Sequence, residues 1–390
     1  MKYNFDEVID RRHTNSLKTD GLKERWGRED LMPLWIADMD FRTPPFIMDA
    51  IRKRCEHEIL GYTCKHEGYY KAIVNWVKKR FDWDVTREMI NFSPGIVPGL
   101  AFAVKCFTAI GDSVIVQPPV YHPFFQVTQQ NNRQVVWNPL IIDNGQFRMD
   151  FDHLRKIIKG CKLLMLCNPH NPGGRSWTRE ELEQLAEICY ENGVLVVSDE
   201  IHADLTLPPA RHIPFACVSD KARDNSITFM SPSKAFNMAG LSSSYCIVPN
   251  QNIRKKFFSY LEASELCQGH LFAFISVEAA YSNGTDWLDQ MLGYIRENVD
   301  FVDEYLKQNI PSIRVIRPEA SFLLFLDCRD LKLSQEQLVD LFVDKARLAL
   351  NDGTMFGSQG TGFMRLNVAC PRSVLKQALE QLRKACDQAK

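Results

Sequence analysis

Residues 178–199, TREELEQLAEICYENGVLVVSD, hold a helix start, a helix, a stop and a strand in succession. Thr178 and Glu181 have the T-x-x-E spacing of a capping box, in which two residues satisfy each other's free backbone N–H groups. Leu182, Leu185, Ala186 and Cys189 then recur on one helical face. Gly193 supplies the stop, because glycine takes the left-handed backbone that ends helices. The run Val194–Ser198 does not alternate between apolar and charged residues, which suits a strand buried on both faces of a parallel sheet. Asp199 closes it.

The same pattern extends outward. Similar runs stand at Val114–Val116, Gln134–Trp137, Lys162–Cys167, Ile227–Met230 and Tyr245–Val248. Their spacing, roughly 30 residues, is about one strand–helix unit each. The expected fold is α/β, a mainly parallel sheet flanked by helices, with ligands at the carboxyl ends of its strands. The last hundred or so residues read as a smaller α+β unit: a helix near Trp287–Gln308, a strand at Ser321–Asp327, a helix near Ser334–Ala346, a loop at Asn351–Gly362, a strand at Phe363–Val368 and a terminal helix. The expected division is residues 1–45 joining the small domain, 46–285 as the large domain, and 286–390 as the small domain.

Bulk properties exclude several classes. A formal net charge of −1 gives no strong field toward nucleic acid or an anionic membrane. No run is apolar over the length a bilayer requires, and the charged residues 1–12 do not form a secretory signal. The 12 cysteines never form C-x-x-C, so they read as reduced thiols of a cytoplasmic protein and imply no metal site. No G-x-G-x-x-G joins a strand to a helix; Gly357-Ser358-Gln359-Gly360-Thr361-Gly362 lies in the wrong context for a nicotinamide enzyme, and no P-loop string occurs.

Six segments carry chemistry. Ser231-Pro232-Ser233-Lys234-Ala235-Phe236-Asn237 follows a strand and offers an amine flanked by hydroxyls. Lys234 can hold an aldehyde as an imine while Ser231 and Ser233 hold a phosphate; alone, it also reads as a surface lysine. Asp199 ends a buried strand, where a carboxylate is costly unless paired; it suits a protonated ring nitrogen, a helix cap or an ion pair. Asn168-Pro169-His170-Asn171-Pro172-Gly173-Gly174 specifies a tight loop, and the Asn171 amide can donate to a phenolate oxygen or bond its own turn. Tyr121, in Pro118-Pro119-Val120-Tyr121, can stack on a ring or fill the core. Ser93-Pro94-Gly95-Ile96-Val97 precedes an apolar helix over Leu100–Phe107, whose first N–H groups can bind phosphate. Arg365, inside a late strand, calls for an anion, either a substrate carboxylate or a structural partner.

In this order the segments resemble fold-type I pyridoxal phosphate enzymes over almost the whole chain. They are most similar to the MalY/PatB-type cystathionine β-lyase (C–S lyase) branch of the class I/II aminotransferase superfamily. The matching strings include Ile36-Ala37-Asp38-Met39-Asp40-Phe41, Gly61-Tyr62, Ser198-Asp199-Glu200-Ile201-His202 and Arg365-Leu366-Asn367. The resemblance implies pyridoxal 5'-phosphate held by Lys234, Asp199, Asn171, Tyr121, His202, Ser231, Ser233, Ile96 and Val97. It implies a substrate amino acid held by Arg365, Ala37 and Asn171. It also implies a homodimer in which Tyr62 reaches the neighbouring site, and in some members a regulatory protein partner. Two departures point from transamination toward lyase chemistry. Ser242 stands eight residues after the lysine, where aminotransferases usually carry a phosphate-binding arginine, and His202 stands where they place tyrosine. The expected reaction is β-elimination from cystathionine or a related cysteine S-conjugate, as in methionine biosynthesis, with transamination as the alternative and a purely regulatory role third. Asn351-Asp352-Gly353 stands where many relatives have Pro-Gly and reads as a loop variant without chemical meaning.

Overall fold

The computed structural model describes residues 2–388; residue 1 and residues 389–390, the ends of the expected first and last segments, lie outside the described residues. The central sheet contains β1 (Ile90–Ser93), β2 (Ser113–Val116), β3 (Gln134–Trp137), β4 (Leu163–Cys167), β5 (Leu195–Asp199), β6 (Ser226–Met230) and β7 (Ser244–Ile247). Their order is β1-β7-β6-β5-β4-β2-β3. Strands β2 to β6 run parallel, and β7 is antiparallel to both neighbours. Cys167 lies opposite Asp199 and Asp199 opposite Phe229, so three strands finish level and open one carboxyl edge.

The expected strands fall within a residue or two of those observed, with two differences. β3 is at the sheet edge and only part-buried or exposed along its length; its apolar run reflects one covered face rather than two. β1 has no counterpart in the sequence reading, because four residues containing Asn91 give too short a signal. It is defined by pairing with β7.

Helices cover both faces. In α1 (Ile96–Phe107), Leu100, Ala103 and Val104 are buried with Phe229 and Val197 from the sheet. In α2 (Arg179–Glu191), Leu182, Leu185, Ala186 and Cys189 are buried, as their spacing predicts. Both capping-box bonds are present: Glu181 N–H donates to Thr178 Oγ1 at 3.2 Å and Thr178 N–H to Glu181 Oε2 at 2.8 Å. Gly193 has φ +64°, the left-handed stop.

A second, antiparallel sheet contains β8 (Arg314–Ile316), β9 (Leu323–Asp327), β10 (Asn351–Asp352) and β11 (Phe363–Asn367), in the order β8-β9-β11-β10. Helices α3 (Thr285–Asn309) and α4 (Arg372–Gln388) pack with it through Val299, Val302, Leu375 and Leu379. The expected helix near residues 334–346 is an α-helix, Gln335–Asp340, that widens into a π turn at Leu341–Lys345. Met32–Pro33 pairs with Leu348–Ala349 in parallel as a separate two-stranded sheet, and the Asn367 N–H of β11 donates to the Leu34 carbonyl, which sets the N-terminal segment beside the second sheet. The expected loop Asn351–Gly362 instead begins with β10, where Asn351 lies opposite Arg365.

Candidate active site

A cavity of about 220 Å³ opens at the carboxyl edge of β4, β5 and β6. Ala37, Ile96, Val97, Tyr121, Asn171, Asp199, His202, Ser233 and Lys234 all line it. Ser231 stands behind Ser233, with the two hydroxyl oxygens 2.9 Å apart. Tyr62 is elsewhere, fully exposed on the chain surface. A larger cleft, about 720 Å³, adjoins the first through Ala239 but is lined by the N-terminal segment and Asp38–Thr43 and does not include Lys234.

The two titratable groups expected at the centre of the chemistry face this cavity. Lys234 Nζ donates to the Ala37 carbonyl at 2.6 Å. Burial pushes its amine down to about 8, against the attraction of Asp38 and Asp199. Asp199 accepts one bond, from the Ile201 N–H at 3.0 Å, and burial raises its carboxyl to about 7. The adjacent Glu200 is treated differently by the fold. It is held by His212 at 2.7 Å, Ser198 Oγ at 2.8 Å and the Phe215 N–H at 2.9 Å. One carboxylate is therefore saturated, while its neighbour is presented to the cavity with a single partner. His202 is buried beside it with Nδ1 unpartnered, its ring pushed down to about 3 by burial and then by Lys234 and Arg365.

Arg365 is buried, and no carboxylate lies within ion-pair distance of it among the described residues. Its Nη1 donates to Asn171 Oδ1 at 3.2 Å and its Nη2 to the Trp35 carbonyl at 2.9 Å, while Nε has no partner. Burial pushes the guanidinium down to about 10. A structural salt bridge is thereby ruled out among the described residues, and the guanidinium remains able to take an anion. Because Asn171 Oδ1 receives Arg365, its amide nitrogen is the free end. His170 fixes the loop by donating from Nε2 to the Pro119 carbonyl at 2.8 Å, and the Tyr121 N–H donates to the Asn171 carbonyl at 3.0 Å.

Several supporting residues escape a sequence reading. Asn351 Nδ2 donates to the same Trp35 carbonyl at 2.9 Å, so the Asn351 position braces the arginine's acceptor and is more than a loop variant. Asn367 Nδ2 donates to the carbonyls of Ile36 and Asp38 at 2.6 and 2.7 Å. Asn237 accepts from the Met39 N–H and donates to the carbonyls of Met39 and Phe41. The available signal was slight: single asparagines, Asn237 and Asn367, three residues after the lysine and two after the arginine.

Residues 29–382 match the family model described as aminotransferase class I and II. The chain belongs to this family. It is 42% identical to cystathionine beta-lyase PatB of Bacillus subtilis, covering 98% of this chain and 99% of that protein. It is 30% identical to protein MalY of Escherichia coli, covering 97% and 98% respectively. The structure of the PLP-bound C-S lyase from Staphylococcus hominis superposes with a TM-score of 0.91 at 36% identity, covering 99% of this chain and 98% of that one. The family member described here lies in the MalY/PatB branch, with the α/β fold expected of it.

The cavity fits pyridoxal phosphate by its own donor set. A lysine amine lies beside a buried carboxylate with one hydrogen bond, matching an aldehyde and a protonated ring nitrogen. The Ile96 and Val97 N–H groups at the first turn of α1 have no acceptor within the helix, and Ser233 and Ser243 add hydroxyls, the latter buried without a partner. Among the described residues no group of three His, Cys, Asp or Glu side chains could hold a metal ion, and no helix is long and apolar enough to cross a membrane.

Proposed function

We propose that this chain is a pyridoxal phosphate-dependent carbon–sulfur β-lyase, cleaving L-cystathionine or a related cysteine S-conjugate to thiol, pyruvate and ammonia. The observation that carries the reading is that the buried Lys234 amine and Asp199 carboxyl face one cavity, with the buried Arg365, which has only neutral partners, hydrogen-bonded to the cavity-lining Asn171.

Pyridoxal phosphate, when bound, supplies an electron sink for the charge left at the substrate Cα. The protein's own groups do the rest. Arg365, steadied by Asn171, grips the substrate carboxylate through its free donors. Lys234, with a depressed amine, takes the Cα proton as general base. The electron pair moves on to break the Cβ–S bond, and the resulting Lys234 ammonium can return its proton to the leaving sulfur. Water then releases pyruvate and ammonia. Asp199 would keep a proton on the cofactor ring nitrogen. Tyr121 would cover one ring face, and His202 lines the cavity with Asp199. Ser233 and the N–H groups of Ile96 and Val97 would hold the phosphate, with Ser231 supporting Ser233 from behind, and the Ala37 carbonyl would hold the lysine in line.

The reading extends to assembly and organisation. Tyr62, exposed and not among the residues lining its own cavity, would serve the site of a second copy in a homodimer. The chain would work in the cytoplasm. Residues 46–285 would form the cofactor domain, and 1–45 with 286–390 the small domain carrying Arg365.

The test is incubation with L-cystathionine and no keto acid, following pyruvate and free thiol together. Equal, catalytic release of both is expected. Turnover only when an amino acid and a keto acid are supplied together would replace the lyase by an aminotransferase.

A further inference from the structure

Four charged side chains outside the cavity form a closed cluster. Lys18 is fully buried, its Nζ 2.9 Å from Asp40 Oδ2 and 3.6 Å from Asp38 Oδ1. Arg11 closes the other side, 2.6 Å from Asp38 Oδ2 and 2.8 Å from Asp40 Oδ1. Two cations thus balance two carboxylates. A buried ammonium is tolerated only when so paired, and removing one partner leaves the others uncompensated. Lys18 lines neither the cavity nor the adjoining cleft, so contact with a ligand does not explain its burial.

Asp38 and Asp40 belong to a strap, residues 35–40, whose carbonyls reach into the site. Trp35 accepts from Arg365 and Ala37 from Lys234. Asn367 ties the strap down between them. Lys18 grips the strap twice, by its ammonium and by its carbonyl, which accepts from Trp35 Nε1 at 3.0 Å. The cluster therefore fixes by side chains the same segment that touches both cations of the site by backbone.

We propose that Lys18 is a positioning residue: by pairing with Asp38 and Asp40 it holds the strap, and with it the carbonyl partners of Lys234 and Arg365, and it sets the net charge that Lys234 meets from this side. Its consequence for catalysis rests on the lyase reading, but its effect on Lys234 does not. The charged and titratable groups facing Lys234 are Asp38 from the strap, Asp199 and His202 from the end of β5, and Arg365 from β11. Of these, only Asp38 belongs to the cluster.

The experiment is a pH titration of the visible absorbance of holoenzyme carrying pyridoxal phosphate, which reports the proton held at Lys234, with melting temperature recorded alongside. In Lys18→Met the two carboxylates share Arg11 alone, negative charge beside Lys234 grows, and the midpoint moves to higher pH by about half a unit or more. In Asp38→Asn the attracting charge is gone and the midpoint moves to lower pH. If Lys18→Met melts earlier but titrates like wild type, Lys18 is merely structural and the proposal is overturned. If that variant yields no folded holoenzyme, Asp38→Asn decides: an unmoved midpoint removes the route from Lys18 to Lys234 and overturns the proposal, and a downward shift supports it. The absorbance needs no turnover. A wild-type holoenzyme that releases no pyruvate would therefore sink the lyase reading and leave the two midpoints to decide this one.

Discussion

Arg365 and Asn171 are 194 residues apart in the chain, and their Nη1 and Oδ1 atoms are 3.2 Å apart in the fold. This bond orients both: the asparagine keeps its amide nitrogen for the cavity, and the guanidinium retains an unpartnered Nε. A buried cation with neutral partners only is an anion receptor held ready.

Arg365→Leu should therefore raise KM for the amino acid by about 10- to 100-fold, the worth of one or two charge-assisted hydrogen bonds. The cofactor-free protein should melt no earlier than wild type, because an unpaired buried charge is removed. Steady-state kinetics and a melting curve check the two halves; an unchanged KM would place the substrate carboxylate elsewhere.

Lys234 must be neutral to accept the Cα proton. With its amine at about 8, kcat should rise with pH through that region and level off above it. Lys234→Ala should show no steady-state turnover. A kcat that stays flat from pH 6 to 10 would assign the proton to another group.

Burial raises Asp199 to about 7, above its unfolded value near 3.9. Between those values the folded chain binds more protons than the unfolded one, so stability from this group is full at low pH and falls as pH rises to about 7. The cofactor-free wild type should thus lose on the order of 2–4 kcal/mol relative to Asp199→Asn between pH 4 and 8. Chemical denaturation of both proteins at the two pH values measures it. Parallel curves would mean that Asp199 is ionised throughout.

A Cβ on Gly99 would lie 2.3 Å from the Phe229 ring. Gly99 sits in the first turns of α1, so the close approach sets where the Ile96 and Val97 N–H groups point. Gly99→Ala should destabilise the fold by about 1–3 kcal/mol and weaken retention of pyridoxal phosphate during dialysis. Full retention with a lowered melting temperature would separate packing from phosphate binding.

The legible part of the molecule was local. Thr178, Glu181 and Gly193 mark their helix because capping and stopping depend on residues within one turn. The apolar runs mark the buried strands because a strand covered on both faces has no polar side to show. Lys234, Asp199, Asn171 and Tyr121 stand just past such runs, and strands that end level bring whatever follows them to one edge. β1 was illegible, since its identity rests on pairing with β7, 150 or so residues away. Arg365 was legible as a cation in a strand, and its partners were not.

By itself, the sequence determined the element order, the βα rhythm and the types of side chain at the strand ends, all of which follow from short-range periodicity and turn chemistry. Only the tertiary structure decided which buried charges are satisfied. Glu200 is saturated and Asp199 is not, Arg365 meets neutral acceptors, and Lys18 is locked between Asp38 and Asp40. The reason is physical: the cost of a buried charge depends on atoms within a few ångströms, and the fold draws those atoms from segments that the sequence keeps far apart.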